Sequence, residues 1–264
     1  MVHGNSLYLS IAGAGNVGSY LAIELFKAGC TIRQVLNRTI EKAEKLAQKV
    51  DANAIDNPES INPDIDVLIL ALPDREIVEF CRKAAIIFPD VILASTAGSV
   101  EISQLIEVNS NCGVLYPLQS FTVKTHPTPS IIPFCIEGAT TEIANKLTKI
   151  ASLISNDVRE ISSDKRLLLH LSAVFASNFS NHMMAKAYEI IRRSGLEFDI
   201  LWPLVNETVS RLRSYEPLEM QTGPAIRNDR ITIEKHLDML KSYDDEMMCK
   251  LYSLISESIN GTKS

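Results

Sequence analysis

The stretch that most restricts this chain is Leu7–Gly29, "LYLSIAGAGNVGSYLAIELFKAG". An apolar run meets three glycines, Gly13, Gly15 and Gly18, and these open a segment whose apolar residues recur at helical spacing. Glycines at such spacing can mark a turn and nothing more. Between a strand and a helix, at the start of a βαβ unit, they have the context of a dinucleotide-binding loop. Gly13 permits the tight turn, Gly15 lets a pyrophosphate approach the backbone, and Gly18 lets the helix pack close to the strand. The start of the helix, Ala14, Asn16 and Val17 included, then turns unpaired N–H groups and a positive dipole end toward the phosphates.

The alternation continues to about Ser162. Apolar runs at 7–12, 31–37, 66–72, 91–96, 113–118, 133–138 and 158–162 alternate with helical patterns at 17–28, 40–49, 75–85, 99–107 and 141–154. Several runs are apolar throughout, which suits parallel strands covered on both faces. After Asp164 the strand-like runs stop. "DKRLLLHLSAVFASNFSNHMMAKAYEIIRRSG" opens at a plausible N-cap and closes at Gly195, a helix on the order of 45 Å long at about 1.5 Å per residue. Further helical patterns cover 199–215 and 231–259. The expected fold is α/β, a Rossmann-type, mostly parallel sheet in residues 1–162 followed by an all-helical domain in 163–264.

Charge and cysteines narrow the partners. The net charge is −6 and no dense basic run occurs, which argues against nucleic acid or an anionic membrane surface as the main partner. No apolar run approaches the ~20 residues of a membrane helix. The five scattered cysteines fit buried thiols in a reducing compartment, so a cytoplasmic protein is expected. No His, Cys, Asp or Glu spacing suggests a metal site.

The end of the second strand selects the nucleotide. An NAD site of this kind usually places a carboxylate there for the ribose hydroxyls. This chain has Asn37, Arg38 and Thr39 instead, and a guanidinium, an amide and a hydroxyl would bind a ribose 2′-phosphate that a carboxylate repels. NADP(H) is therefore the expected cofactor. Two further strand ends point to the same crevice: Leu72, Pro73 and Asp74 toward the adenosine half, and Ser95, Thr96, Ala97 and Gly98 toward the nicotinamide half. Asp74 and Ser99 can equally be read as helix N-caps.

On the long helix, His170, Ser177, Asn181 and Tyr188 fall within about 20° of one another at 100° per residue. This row can line a pocket, with His170 as proton donor to a carbonyl or imine that receives hydride. Asn178, His182, Lys186, Glu189 and Arg193 form a neighbouring arc read as solvated. Arg166 and Arg192 lie within about 40° of the row and can extend that solvated face over it. Tyr116 and Gln119 in "YPLQSF" can meet substrate at a strand end, Arg227 in "TGPAIRND" can clamp a carboxylate or pair with Asp229, and His126 reads as a solvated loop residue.

The motifs "GAGNVG", "NRT", "LALPD" and "STAG" resemble the NADP-binding domain shared by pyrroline-5-carboxylate reductase, deazaflavin-dependent NADP oxidoreductases and the wider 6-phosphogluconate dehydrogenase-like group. "YPLQSF", "HLSAVFASNF" and "TGPAIRND" extend the resemblance, over nearly the whole chain, to Rossmann-like proteins whose C-terminal helical domain has no settled function. That resemblance implies a homodimer through the C-terminal helices and a substrate pocket between the domains, opposite the nicotinamide. Two departures stand out. That branch often has His where this chain has Tyr116, and the Lys and Asn spaced four apart in β-hydroxyacid dehydrogenases are absent, since Lys186 is followed by Ile190.

The expected function is therefore an NADP(H)-dependent oxidoreductase acting on a small carbonyl or imine substrate, one bearing a carboxylate for Arg227. A non-catalytic NADP-binding sensor or assembly module and a deazaflavin:NADP oxidoreductase are the competing readings. Arg38→Ala is expected to weaken NADPH binding by roughly tenfold to a hundredfold in a fluorescence titration, the value of one charge-assisted contact.

Overall fold

The computed structural model describes residues 7–122 and 129–262, so His126 lies outside the described residues. Eight strands form one sheet: β1 (Tyr8–Ala12), β2 (Thr31–Leu36), β3 (Asn53–Ile55), β4 (Val67–Leu70), β5 (Ile92–Ser95), β6 (Cys112–Pro117), β7 (Phe134–Gly138) and β8 (Val158–Glu160). Their order is β3-β2-β1-β4-β5-β6-β7-β8. Among these eight described strands only the β6–β7 pairing is antiparallel. β3 was not expected from the sequence, because three residues, "NAI", are too few to show a period.

The chain leaves β1 in one direction for β2 and β3 and later returns on its other side at β4. Order reverses there, and in open α/β sheets a crevice forms beyond the strand ends at that point. Helices α1 (Asn16–Lys27), α2 (Ile40–Ala47) and α5 (Thr141–Ser152) cover one face, and α3 (Asp74–Ile87) and α4 (Ile102–Ile106) the other. In β4, Val67 and Ile69 enter the first core and Leu68 and Leu70 the second. That double burial explains why the strand is apolar throughout.

The glycine loop is built on close backbone approach. Gly13 has φ +107°, and a Cβ there would lie 2.1 Å from the Ala71 carbonyl oxygen. A Cβ on Gly18 would lie 1.9 Å from the carbonyl oxygen of Gly13, so α1 can seat against the end of β1 only without a side chain.

By its internal contacts the chain divides into two compact units, residues 1–183 and 184–264. Helices α6 (Ser163–Ala173) and α7 (Ser180–Arg193) are joined by a π-helical segment, Val174–Phe179. The division thus falls inside α7. The uninterrupted helix expected over 164–195 is corrected by that π segment, which widens the turn and changes which side chains share a face. In the second unit follow a 3₁₀ turn at Phe198–Leu201, α8 (Trp202–Arg211), α9 (Arg230–Lys241) and α10 (Glu246–Gly261). The single pattern expected over 231–259 is two helices, broken where Asp244 takes φ +56° and Asp245 caps α10 by accepting from the Met248 amide at 2.9 Å.

Cys30, Cys81, Cys112 and Cys135 are buried free thiols, and Cys249 is half-buried. No described helix is long and apolar enough to cross a membrane. Gly18→Ala is expected to lower stability by about 1–3 kcal/mol, the range for overpacking a tight site, seen as an earlier thermal unfolding midpoint. An alanine variant melting with the wild type would show that the close approach is not constraining.

Candidate functional site

Two clefts on the first unit gather the candidate residues. One, of about 580 Å³, lies beyond β1, β2 and β4 and is lined by Gly13, Ala14, Gly15, Asn37, Arg38, Leu72 and Pro73, among others. A Cβ on Gly15 would meet nothing within 4 Å, so the loop is open on the side where a pyrophosphate would lie. No side chain caps α1 at Gly15, which leaves its first amides for an anion. This shape and donor set fit a dinucleotide.

Asn37 does a different job from the one expected. Its Oδ1 accepts from the Ala14 amide at 3.2 Å and its Nδ2 donates to the Thr39 carbonyl at 3.0 Å. The carboxamide thus ties the end of β2 to the glycine loop. Arg38 and Thr39 are exposed on the rim, and Arg38 lies 3.8 Å from Glu76. The same lining carries the cations Lys42, Arg75 and Lys83 and the carboxylates Asp56, Glu76 and Glu79. Nothing in the spacing singles out these lysines and arginines, since on helices α2 and α3 they look like an ordinary solvated face. Asn16 is engaged elsewhere, its Nδ2 donating to the Phe121 carbonyl at 3.0 Å.

Asp74 and Ser99 do not act as side-chain N-caps. The Ser99 hydroxyl instead donates to the Asp74 carboxylate and joins the turns after β4 and β5. Ser95, Thr96, Ala97 and Gly98 are buried. Thr96 Oγ1 donates to the Leu70 carbonyl at 3.1 Å and Ser95 Oγ accepts from the Ala97 amide at 3.2 Å, so both hydroxyls serve the turn itself.

Gly98 is where this turn meets the second cleft. A Cβ on it would come within 2.8 Å of His170 Nδ1 and 2.9 Å of Tyr116 Cζ. These two rings rest on the bare glycine, with the Tyr116 hydroxyl 3.1 Å from His170 Nδ1 and the rings edge to face at 6.0 Å. Burial pushes the Tyr116 phenol up to about 12. The nearby Cys135 and Asp74 push it the same way and Arg166 opposes them. It therefore remains a protonated donor at neutral pH.

The cleft around this pair measures about 660 Å³. Gln119, Ser120 and Thr122 line one side and Ser177, Asn178 and Asn181 the other, with the Ser120 and Ser177 hydroxyls 3.0 Å apart. The structure brings together Tyr116, His170, Ser177 and Asn181, as expected. Asn178, read as part of the solvated arc, is exposed and also lines the cleft, since Val174, Ser177, Asn178 and Asn181 recur at the spacing of one helix face. Tyr188 belongs to the second unit, edge to face with Phe198 at 5.6 Å. Arg166 is also corrected: far from extending a solvated face, it is 1% exposed. Arg227 is exposed in the second unit, and Asp229 caps α9 by accepting from the Thr232 amide at 3.1 Å. The described lining of the cleft contains no Lys, Arg, Asp or Glu. Among the described residues no group of three or more His, Cys, Asp or Glu is placed to hold a metal ion.

Residues 9–98 match the family model for an NADP oxidoreductase, coenzyme F420-dependent, and residues 132–259 match a domain of unknown function, DUF2520. A candidate NADP oxidoreductase of Bacteroides fragilis is 38% identical, with a TM-score of 0.90 over 97% of this chain and 98% of that one. The chain belongs to this NADP oxidoreductase family. The same fold recurs in an imine reductase of Myxococcus stipitatus in complex with NADP⁺, 16% identical, with a TM-score of 0.71 over 96% of this chain and 94% of that one. It recurs too in a pyrroline-5-carboxylate reductase of Coxiella burnetii, 16% identical, with a TM-score of 0.59 over 98% of each chain. Among curated proteins no sequence matches.

In this NADP oxidoreductase the Tyr116 phenol provides a direct spectroscopic check. The phenolate difference spectrum between the protein and its Tyr116→Phe variant is expected to show no ionisation step near pH 10, with the midpoint near 12. A step near pH 10 would place the hydroxyl in water and remove it from the half-buried pair.

Proposed function

We propose that this NADP oxidoreductase transfers hydride between the nicotinamide of NADP(H) and a small carbonyl or imine compound held in the cleft of Tyr116 and His170. The observation that supports it best is the position of Gly98. This residue belongs to the turn after β5, on the crevice side of the sheet, and its missing side chain is the space against which the Tyr116–His170 pair packs. The turn at the end of β5 thus lies directly behind two residues that line the polar cleft.

The nicotinamide supplies the hydride or accepts it. The chain's own residues bind, orient and handle the proton. The Gly13–Gly18 loop and the first amides of α1 hold the phosphates, and Arg38, Lys42, Arg75 and Lys83, which outnumber Asp56, Glu76 and Glu79 in the same lining, supply positive charge for the 2′-phosphate. Because Arg38 is 85% exposed, its contribution falls near the tenfold end of the range given above. A carbonyl or imine that gains hydride at carbon must gain a proton at oxygen or nitrogen. The protonated Tyr116 phenol and the His170 imidazole, in hydrogen-bond contact, can donate it and share the charge. Ser177, Asn178, Asn181 and Gln119 orient the rest of the substrate through neutral hydrogen bonds.

A homodimer through the C-terminal helices is part of the proposal. In the second unit only Ala225, Leu240 and Met248 are buried apolar residues among those described, whereas Trp202, Leu204, Leu218, Ile231, Met247 and Leu254 are exposed. So small a core does not stabilise a helical unit in water, and a second copy is the partner that would cover those side chains.

Purified protein is expected to bind NADPH more tightly than NADH and to oxidise NADPH with members of a panel of cyclic imines and keto compounds. His170→Ala and Tyr116→Phe should each lower that turnover by roughly a hundredfold or more, with NADPH affinity unchanged. Tight NADPH binding with no consumption across the panel would favour the non-catalytic NADP-binding module instead.

A further inference from the structure

Among the described residues the most deeply buried charge is Arg166, 1% exposed and one helical turn before His170. Its guanidinium joins segments distant in sequence. One terminal nitrogen is ion-paired with the Glu137 carboxylate on β7. The other donates to the Val100 carbonyl at 2.6 Å and to Ser163 Oγ at 3.0 Å. Ser163, at the start of α6, donates through its amide and hydroxyl to Glu137 at 2.9 and 2.7 Å, and its Oγ accepts from the Ile102 amide at 2.9 Å. Val100 lies two residues beyond Gly98, in the turn on which Tyr116 and His170 rest.

We propose that Arg166 is the positioning residue of the Tyr116–His170 pair, fastening the helix that carries His170 to the turn that carries Gly98. Stability alone does not account for a charge there. A buried ion pair generally gives no more stability than well-packed apolar side chains of similar volume, and this one leaves the Arg166 Nε–H buried without a partner. What the guanidinium offers is a rigid fork with donors in fixed directions. It holds the β5–α4 turn, β7 and the N-terminus of α6 in one arrangement, and a single turn of helix transmits that arrangement to His170. In an α-helix, residues four apart lie on the same face, so a small shift of Arg166 moves His170 in the same sense, off the Tyr116 hydroxyl.

The bearing of this device on turnover rests on the function proposed above, whereas its effect on the imidazole does not. The test is therefore read in the cofactor-free protein, as the ¹⁵N–¹H correlation signals of the His170 ring near neutral pH. Tyr116→Phe supplies the reference for a ring without its phenol partner. The double variant Arg166→Met/Glu137→Leu removes both charges and keeps the volume filled. With a melting temperature and NADPH affinity like the wild type, its His170 signals are expected to move to the positions seen in Tyr116→Phe. Wild-type His170 signals in that folded double variant would overturn the proposal and leave Arg166 a mere element of packing. If the double variant does not fold, Ser163→Ala keeps both charges but loses the hydroxyl's links to Glu137, Arg166 and Ile102. A shift of the His170 signals in the same direction, smaller in size, then supports the proposal, and unchanged signals overturn it. Loss of turnover in all variants alongside wild-type ring signals would count against Arg166 and leave the hydride-transfer reading standing.

Discussion

Close approach of backbone at the carboxyl ends of the strands is the constraint on which the rest depends. Gly13 lets the chain turn beside Ala71, Gly18 lets α1 rest on Gly13, and Gly98 lets the Tyr116–His170 pair lie directly on the turn after β5. At each position a single methyl group would fall at 2.9 Å or less from a neighbouring atom. Interiors packed to the density of organic crystals do not absorb such intrusions without displacement. The crevice for a dinucleotide and the polar cleft both belong to the unit that carries the sheet.

Around that constraint the polar groups divide into those that build the site and those left to act. Asn37, Ser95, Thr96, Ser99 and Asp74 use their hydrogen-bonding capacity on turns and loop ends. Arg166 and Glu137 use theirs on the junction of sheet and helix. Left facing the cleft are a protonated phenol, an imidazole, hydroxyls and amides, with no Lys, Arg, Asp or Glu in the described lining. Such a lining can orient a neutral carbonyl or imine and pass a proton without first paying the desolvation cost of an unpaired ion.

The fold was legible in the sequence because its signals were local and repeated: the glycine loop, all-apolar strands such as Val67–Leu70, and the change to helical periodicity after Asp164. The NADP reading from Asn37, Arg38 and Thr39 pointed to the right cofactor, although the Asn37 amide supports the glycine loop. Regular-helix arithmetic brought His170, Ser177 and Asn181 together, and Asn178, on the neighbouring solvated arc, borders the same cleft. The arithmetic failed for Arg166, since amphipathic patterns take arginine as solvated and cannot anticipate a carboxylate, Glu137, waiting on a distant strand. Ser120, Lys42, Arg75 and Lys83 reach their clefts only through tertiary packing, and nothing in their neighbours' spacing announces it.

A crystal structure of the NADPH complex tests the central claim most directly. The account predicts that nicotinamide C4 lies over the Gly98 turn and faces the cleft, with Tyr116 Oη and His170 within about 4 Å of a ligand atom bound beside it, the range that separates contact from proximity. A nicotinamide ring turned away from Gly98, with Tyr116 and His170 distant from its C4 and from any bound substrate, would contradict it.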